Sequence, residues 1–185
     1  QYDRGLELYA ADMYEEAAIA FNRAYQLKPS FKILYNIAQA ENESGNFARA
    51  LEFYLLYLSK GGGDVPLERV RTVNKEIARL RTLAGRIEVV CPLEDATVYV
   101  DGKRMGKTPL EDALLVDIGE HEVLVKKGGK ELHREVLRLA GDQTVKVVVE
   151  MEEEEEEIVP VIVPVAAPPP APSPAPAPAP AAAPA

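Results

Sequence analysis

The chain has 185 residues and a formal net charge of −9, with one unbroken run of six glutamates, Glu152 to Glu157. Eleven of its 15 prolines lie at or after Pro160, which leaves about 150 residues with the composition of folded protein. That is one ordinary domain or two small ones, with little room for a deep catalytic cleft. No basic face is concentrated enough to displace counterions from nucleic acid; Lys126, Lys127 and Lys130 crowd together, but Gly128 and Gly129 between them mark a hairpin end. The single cysteine, Cys91, excludes an intrachain disulfide and leaves the redox compartment open.

No stretch approaches the ~20 apolar residues of a membrane-spanning helix. The nearest, Ile158 to Ala167, is short and broken by Pro160 and Pro164. The chain begins without methionine or signal peptide and opens inside a helical pattern. It reads as a fragment or processed chain, with membrane attachment expected only through segments outside it.

The first part repeats at a spacing of 33 residues. Gly5 matches Ala38, Asp12 matches Gly45, Tyr14 matches Phe47, Ala17 matches Ala50, and Phe21 matches Tyr54. Each unit reads as two helices joined by a tight turn, at Ala11-Asp12 and at Ser44-Gly45-Asn46, where residues tolerant of positive φ stand. The small residues let paired helices approach, and the aromatic ones fill the gap between them. Pro29 ends the second helix of the first unit, because proline inside a helix costs about 3 kcal/mol. These features resemble the tetratricopeptide repeat, with its small residue, Ala-x-x-x-aromatic step and terminal proline. Both units lack the signature tryptophan, and Gly62 stands where the second should have proline.

Beyond Gly61-Gly62-Gly63, Asp64 offers a helix cap and Pro66 suits a first turn. Leu67, Val70, Val73, Ile77, Leu80 and Ala84 then form one apolar stripe, with Arg69, Arg71, Lys75, Arg79 and Arg81 on the other faces. Such a helix is expected to cap the array. Two units and a cap make a marginal solenoid, so either further repeats precede Gln1 or the following module packs on the helices.

From Arg86 the period changes to alternation. Strands are predicted at Ile87 to Val89, Ala96 to Val100, Leu114 to Val116, Glu122 to Lys126, Leu132 to Leu139 and Thr144 to Glu150. Asp101-Gly102 is a hairpin-turn signal. Six or seven short strands at this spacing predict a small antiparallel sandwich. Val98-Tyr99-Val100-Asp101-Gly102 through Gly106-Lys107-Thr108-Pro109-Leu110, then Gly119-Glu120-His121-Glu122-Val123 and Ala140-Gly141-Asp142, closely resemble the PEGA domain in order and spacing. The resemblance implies an extracytoplasmic β-sandwich of a bacterial envelope protein, periplasmic or at the surface.

The expected fold class is therefore α+β and multidomain. Two tetratricopeptide-like repeats occupy residues 1–60, a capping helix 61–85, a PEGA-like sandwich 86–150, and a disordered acidic and Pro/Ala-rich linker 151–185.

Gly102 to Thr108 reads G-x-x-x-G-K-T, but a phosphate-binding loop needs four residues between its glycines and a helix after them. Pro109 disfavours that helix, so a β-turn role is expected. His121 and His133 lack the spacing of metal ligands and the partners of a catalytic dyad. His121 is expected to be structural, and Cys91 a small buried hydrophobe. No catalytic residue, cofactor site or metal site is expected, and the protein is read as non-enzymatic.

Binding is placed on the repeats. In tetratricopeptide proteins the first helix of each unit lines a concave groove, and the resemblance maps that face to Tyr2, Leu6, Tyr9, Tyr35, Asn36, Gln39, Asn42 and Glu43. Tyr35 and Asn36 combine an aromatic platform with an amide able to bond a peptide backbone. Tyr2 and Leu6 stand where a carboxylate clamp would need Lys and Asn. The same residues could instead pack on a neighbouring repeat. The expected partner is a protein or peptide at the cell envelope. The alternative is a cell-wall or surface glycan bound by the PEGA-like module, with the helices serving oligomerisation.

Overall fold

A computed structural model describes residues 1–150; the acidic run and the Pro/Ala-rich segment lie outside the described residues. The helices and both sheets belong to one compact unit. Four helices come first, α1 (Tyr2–Ala10), α2 (Tyr14–Leu27), α3 (Phe31–Glu43) and α4 (Phe47–Gly61). The turns between the paired helices place Asp12 at φ 59° and Gly45 at φ 84°, as the turn residues predict.

The 33-residue correspondence is a packing correspondence. Ala17 and Ala50 are fully buried, Phe21 and Tyr54 nearly so, and Ala38 is at the centre of the same core. Gly5 is required where its partner is alanine, because a Cβ there would stand 2.5 Å from the Phe21 ring. Both aromatic residues thus wedge between the helices of their own hairpin, and the small residue opposite makes the space.

A 3₁₀ turn at Gly62–Asp64 leads to α5 (Leu67–Arg81). Here two expectations are corrected. Asp64 closes the 3₁₀ turn and Pro66 occupies the cap position, without a side-chain cap hydrogen bond. The apolar stripe is shorter than expected: Val73, Ile77 and Leu80 are buried, but Leu67 is exposed and Ala84 already belongs to a strand.

Seven strands follow: β1 (Ala84–Val90), β2 (Thr97–Val100), β3 (Lys103–Lys107), β4 (Leu114–Asp117), β5 (Gly119–Lys127), β6 (Lys130–Leu139) and β7 (Thr144–Val148). They form a three-stranded sheet, β4-β1-β7, and a four-stranded sheet, β3-β2-β5-β6. All pairings are antiparallel except β1 with β7, which run parallel with Ile87 opposite Val145 and Val89 opposite Val147. The residues expected to form only a turn around Gly102 contribute strand β3 instead. Its sequence, Lys-Arg-Met-Gly-Lys, lies on a sheet edge with four of five residues exposed, so it carries no alternation of apolar and polar residues.

Thr108 explains the G-K-T-P-L element. It is buried, its hydroxyl donates to the Leu93 carbonyl and accepts from the Ala96 amide, and its own backbone bonds Asp95 and Ala96. One side chain thereby fastens the loop before β2 to the end of β3. The core between the sheets comprises Ile87, Val98, Val100, Val123, Val125, Leu137, Leu139 and Val147, among others. Cys91 is half-buried and packs against it.

The sandwich packs on the helical array, chiefly through β4 and β1 against α4. Ala84 and Leu115 join the helical core cluster. The turn after β6 docks at the end of α5: Asp142 donates its amide to the Ala84 carbonyl, and Gly141 lies so close to Thr82 that a Cβ would collide with its carbonyl oxygen. Two helical hairpins therefore bury their open side on a β module, one of the two solutions the short array required.

Candidate functional site

Side chains of helices α1, α3 and α5 meet across one face. Tyr2 on α1 accepts a hydrogen bond from Asn36 Nδ2 on α3 at 2.8 Å. Tyr35 on α3 accepts one from Arg69 Nη1 on α5 at 2.7 Å. Both pairs span 34 residues, so each tyrosine hydroxyl is held by a donor one helix further along. The Arg69 guanidinium also lies 4.6 Å from the centre of the Tyr35 ring, a cation–π geometry. The ring itself rests edge-on against Tyr54 and tilted against Tyr57. A third link joins α3 to α5, Arg79 Nη2 to Asn42 Oδ1 at 2.6 Å.

The expected face residues divide accordingly. Tyr2, Tyr35, Asn36 and Asn42 are tied into these interhelical contacts. Tyr9 packs edge-on against Tyr14; burial first, then the nearby Glu43 carboxylate, pushes its hydroxyl above the usual tyrosine range. Gln39 is half-buried and Glu43 exposed, and neither makes a side-chain hydrogen bond among the described residues. Leu6 is exposed. Arg69 and Arg79 were read from sequence only as the solvated side of a capping helix. Their 34- and 37-residue offsets from Tyr35 and Asn42 were the available signal, had α5 been taken as a third first helix.

A second constellation lies where the β module meets α4. Asp101, in the β2–β3 turn at φ 50°, accepts from the Glu122 amide through Oδ1 and contacts His121 Nδ1 through Oδ2 at 2.7 Å. The other ring nitrogen, Nε2, is 2.8 Å from the Asp117 carbonyl. The Asp117 carboxylate points the other way and accepts from the Ala48 amide in the first turn of α4 at 2.7 Å. These residues line a cavity of about 440 Å³ with Arg49, Glu52 and Phe53 of α4 and Lys103, Arg104 and Met105 of β3. The partners of His121 come from turns and strands that sequence spacing does not connect. Among the described residues its ring nitrogens contact only Asp101 Oδ2 and the Asp117 carbonyl.

On the outer face of the four-stranded sheet, Tyr99 and Leu124 lie opposite each other, their neighbours Val98, Val100, Val123 and Val125 pointing into the core. Arg104 and Arg134 continue that row at either side. Arg134 is held by Glu122 at 2.6 Å and Glu131 at 2.8 Å.

Among known proteins, residues 85–155 match the PEGA domain family. The matched span contains the Asp101 turn, Thr108, His121 and the Gly141 turn, but it begins after α5 and leaves the helical array outside. No curated protein and no solved structure matches the chain. Among the described residues no helix is long and apolar enough to cross a membrane.

Proposed function

We propose that this protein is a non-enzymatic interaction scaffold of the bacterial cell envelope, which binds a protein or peptide partner across α1, α3 and α5. The observation that carries this reading is the pair of matched contacts, Tyr2 with Asn36 and Tyr35 with Arg69. They hold three helices in register and present aromatic rings, amides and a guanidinium on one rigid face. Tyrosine and arginine fixed in this way supply large contact area with little entropy left to lose on binding. The PEGA match over residues 85–155 supports the extracytoplasmic part of this reading, since domains of that family occur in extracytoplasmic proteins.

The test uses the full chain as bait against an envelope fraction, beside a Gln39→Arg, Glu43→Arg variant. Neither residue makes a side-chain hydrogen bond among the described residues, so the exchange removes none, and circular dichroism checks that the variant is folded. A specific protein captured by the wild type and lost in the variant supports the reading; capture that survives the variant contradicts it.

A second reading rests on the outer sheet face. Tyr99, flanked by Arg104 and bordered by the Arg134–Glu122–Glu131 cluster, offers an apolar ring beside paired polar groups, an arrangement suited to a sugar. Saturable sedimentation with purified cell wall, lost in Tyr99→Ala, would favour that reading.

A further inference from the structure

Beside the apolar packing of the β module on α4, a polar relay joins the two, and its central member is titratable. Both atoms that face the His121 ring nitrogens, a carboxylate oxygen of Asp101 and the backbone oxygen of Asp117, are acceptors only. Two acceptors at 2.7 and 2.8 Å require two N–H donors, which only the imidazolium has. The neutral ring carries one proton and must turn a lone pair toward one of the two oxygens. The residue whose backbone is held is the same one whose side chain caps α4, since Asp117 Oδ1 accepts from the Ala48 amide.

We propose that protonated His121 is a latch that fixes the β module on the helical array through Asp117, and that its deprotonation loosens the Asp117 cap on α4. This goes beyond the binding role of the helical face and is independent of which partner that face takes.

The surroundings fit a group held charged. From the β2–β3 turn it faces Asp101, with Lys103 and Arg104 beyond; from β4, Asp117; from α4, Arg49 and Glu52. On its own strand Glu120 and Glu122 flank it, and β6 sets Leu137 opposite with Arg138 adjacent. Burial weighs against the charge, but the Asp101 hydrogen bond, the Asp117 carbonyl and both carboxylates outweigh it and raise the imidazole above its ordinary 6.5. Arg49 is engaged by Glu41 at 3.0 Å, so the nearest cation from α4 is already compensated.

The experiment is NMR on the full chain, following the His121 ring nitrogens and the exchange protection of the Ala48 amide from about pH 5.5 to 8.5. Protection at Ala48 is expected to fall about tenfold as His121 loses its proton, with one shared midpoint. Asp101→Asn should move both midpoints to lower pH together. His121→Gln, which keeps a donor but does not titrate, should show no step at Ala48. Constant protection through the His121 titration, or a step that survives in His121→Gln, would overturn the proposal.

Discussion

Asp117 and Ala48 are 69 residues apart, yet the carboxylate of one accepts the amide hydrogen of the other at 2.7 Å and closes the first turn of α4. Asn46, the residue at the cap position, makes no cap hydrogen bond; its amide goes instead to Glu41 Oε2 and Ser44 Oγ. The helix therefore takes its N-terminal acceptor from the β module.

Replacing Asp117 with alanine should cost about 1 kcal/mol, the usual loss when a cap acceptor is removed. In a unit of this size that lowers the melting temperature by roughly 2–4 °C. Thermal unfolding by circular dichroism measures the loss. Amide exchange should show it concentrated at the start of α4, and a loss spread evenly over the molecule would argue against a cap.

Thr108 should be more sensitive than its surface neighbours. Thr108→Val preserves shape but leaves the Ala96 amide and Leu93 carbonyl without their partner, at a cost of about 1–3 kcal/mol. Thr108→Ser retains the hydroxyl and should recover most of that difference in denaturant unfolding.

The turn after β6 gives a steric test. Gly141→Ala drives a methyl into the Thr82 carbonyl, a backbone atom that cannot rotate away, and should destabilise by about 1–3 kcal/mol. Gly63→Ala, where a Cβ meets open space and φ is not positive, is the control and should be nearly neutral in the same assay.

Stability should depend on pH on two sides of the His121–Asp101 pair. The folded imidazole is raised above 6.5, so its contribution is complete below that pH and is lost as pH rises through the folded value. For Asp101, burial opposes ionisation but the His121 hydrogen bond and the Glu122 amide prevail and lower the carboxyl below its ordinary 3.8. Its contribution is present above 3.8 and lost as pH falls through the lowered value. Melting temperature should thus fall on both sides of a mildly acidic plateau, and His121→Gln should flatten the alkaline side.

Much of this architecture was legible because it depends on local size and turn chemistry. Gly5, Ala17, Phe21 and their counterparts 33 residues on mark the helical hairpins, since close approach needs a small residue opposite a large one. Asp101-Gly102 marked its hairpin through two consecutive positive φ values. Strand β3 was hidden because an exposed edge strand needs no apolar alternation. The parallel β1–β7 pair was hidden because nothing in either strand encodes the direction of its partner. For the proposed binding face, α1 and α3 contribute residues that aromatic and amide composition could pick out. Arg69 and Arg79 on α5 resembled ordinary solvated charge until their partners Tyr35 and Asn42 were in place.

The most direct measurement of the proposed binding face is site-specific photo-cross-linking from position 39, between Tyr35 and Asn42 on α3, in cells or an envelope fraction. Position 136, exposed on the β6 edge strand, serves as the reference. A discrete protein adduct at 39, absent at 136 and diminished by Arg69→Ala, is the predicted result. Adducts at 136 with none at 39 would contradict the account and move recognition to the β module.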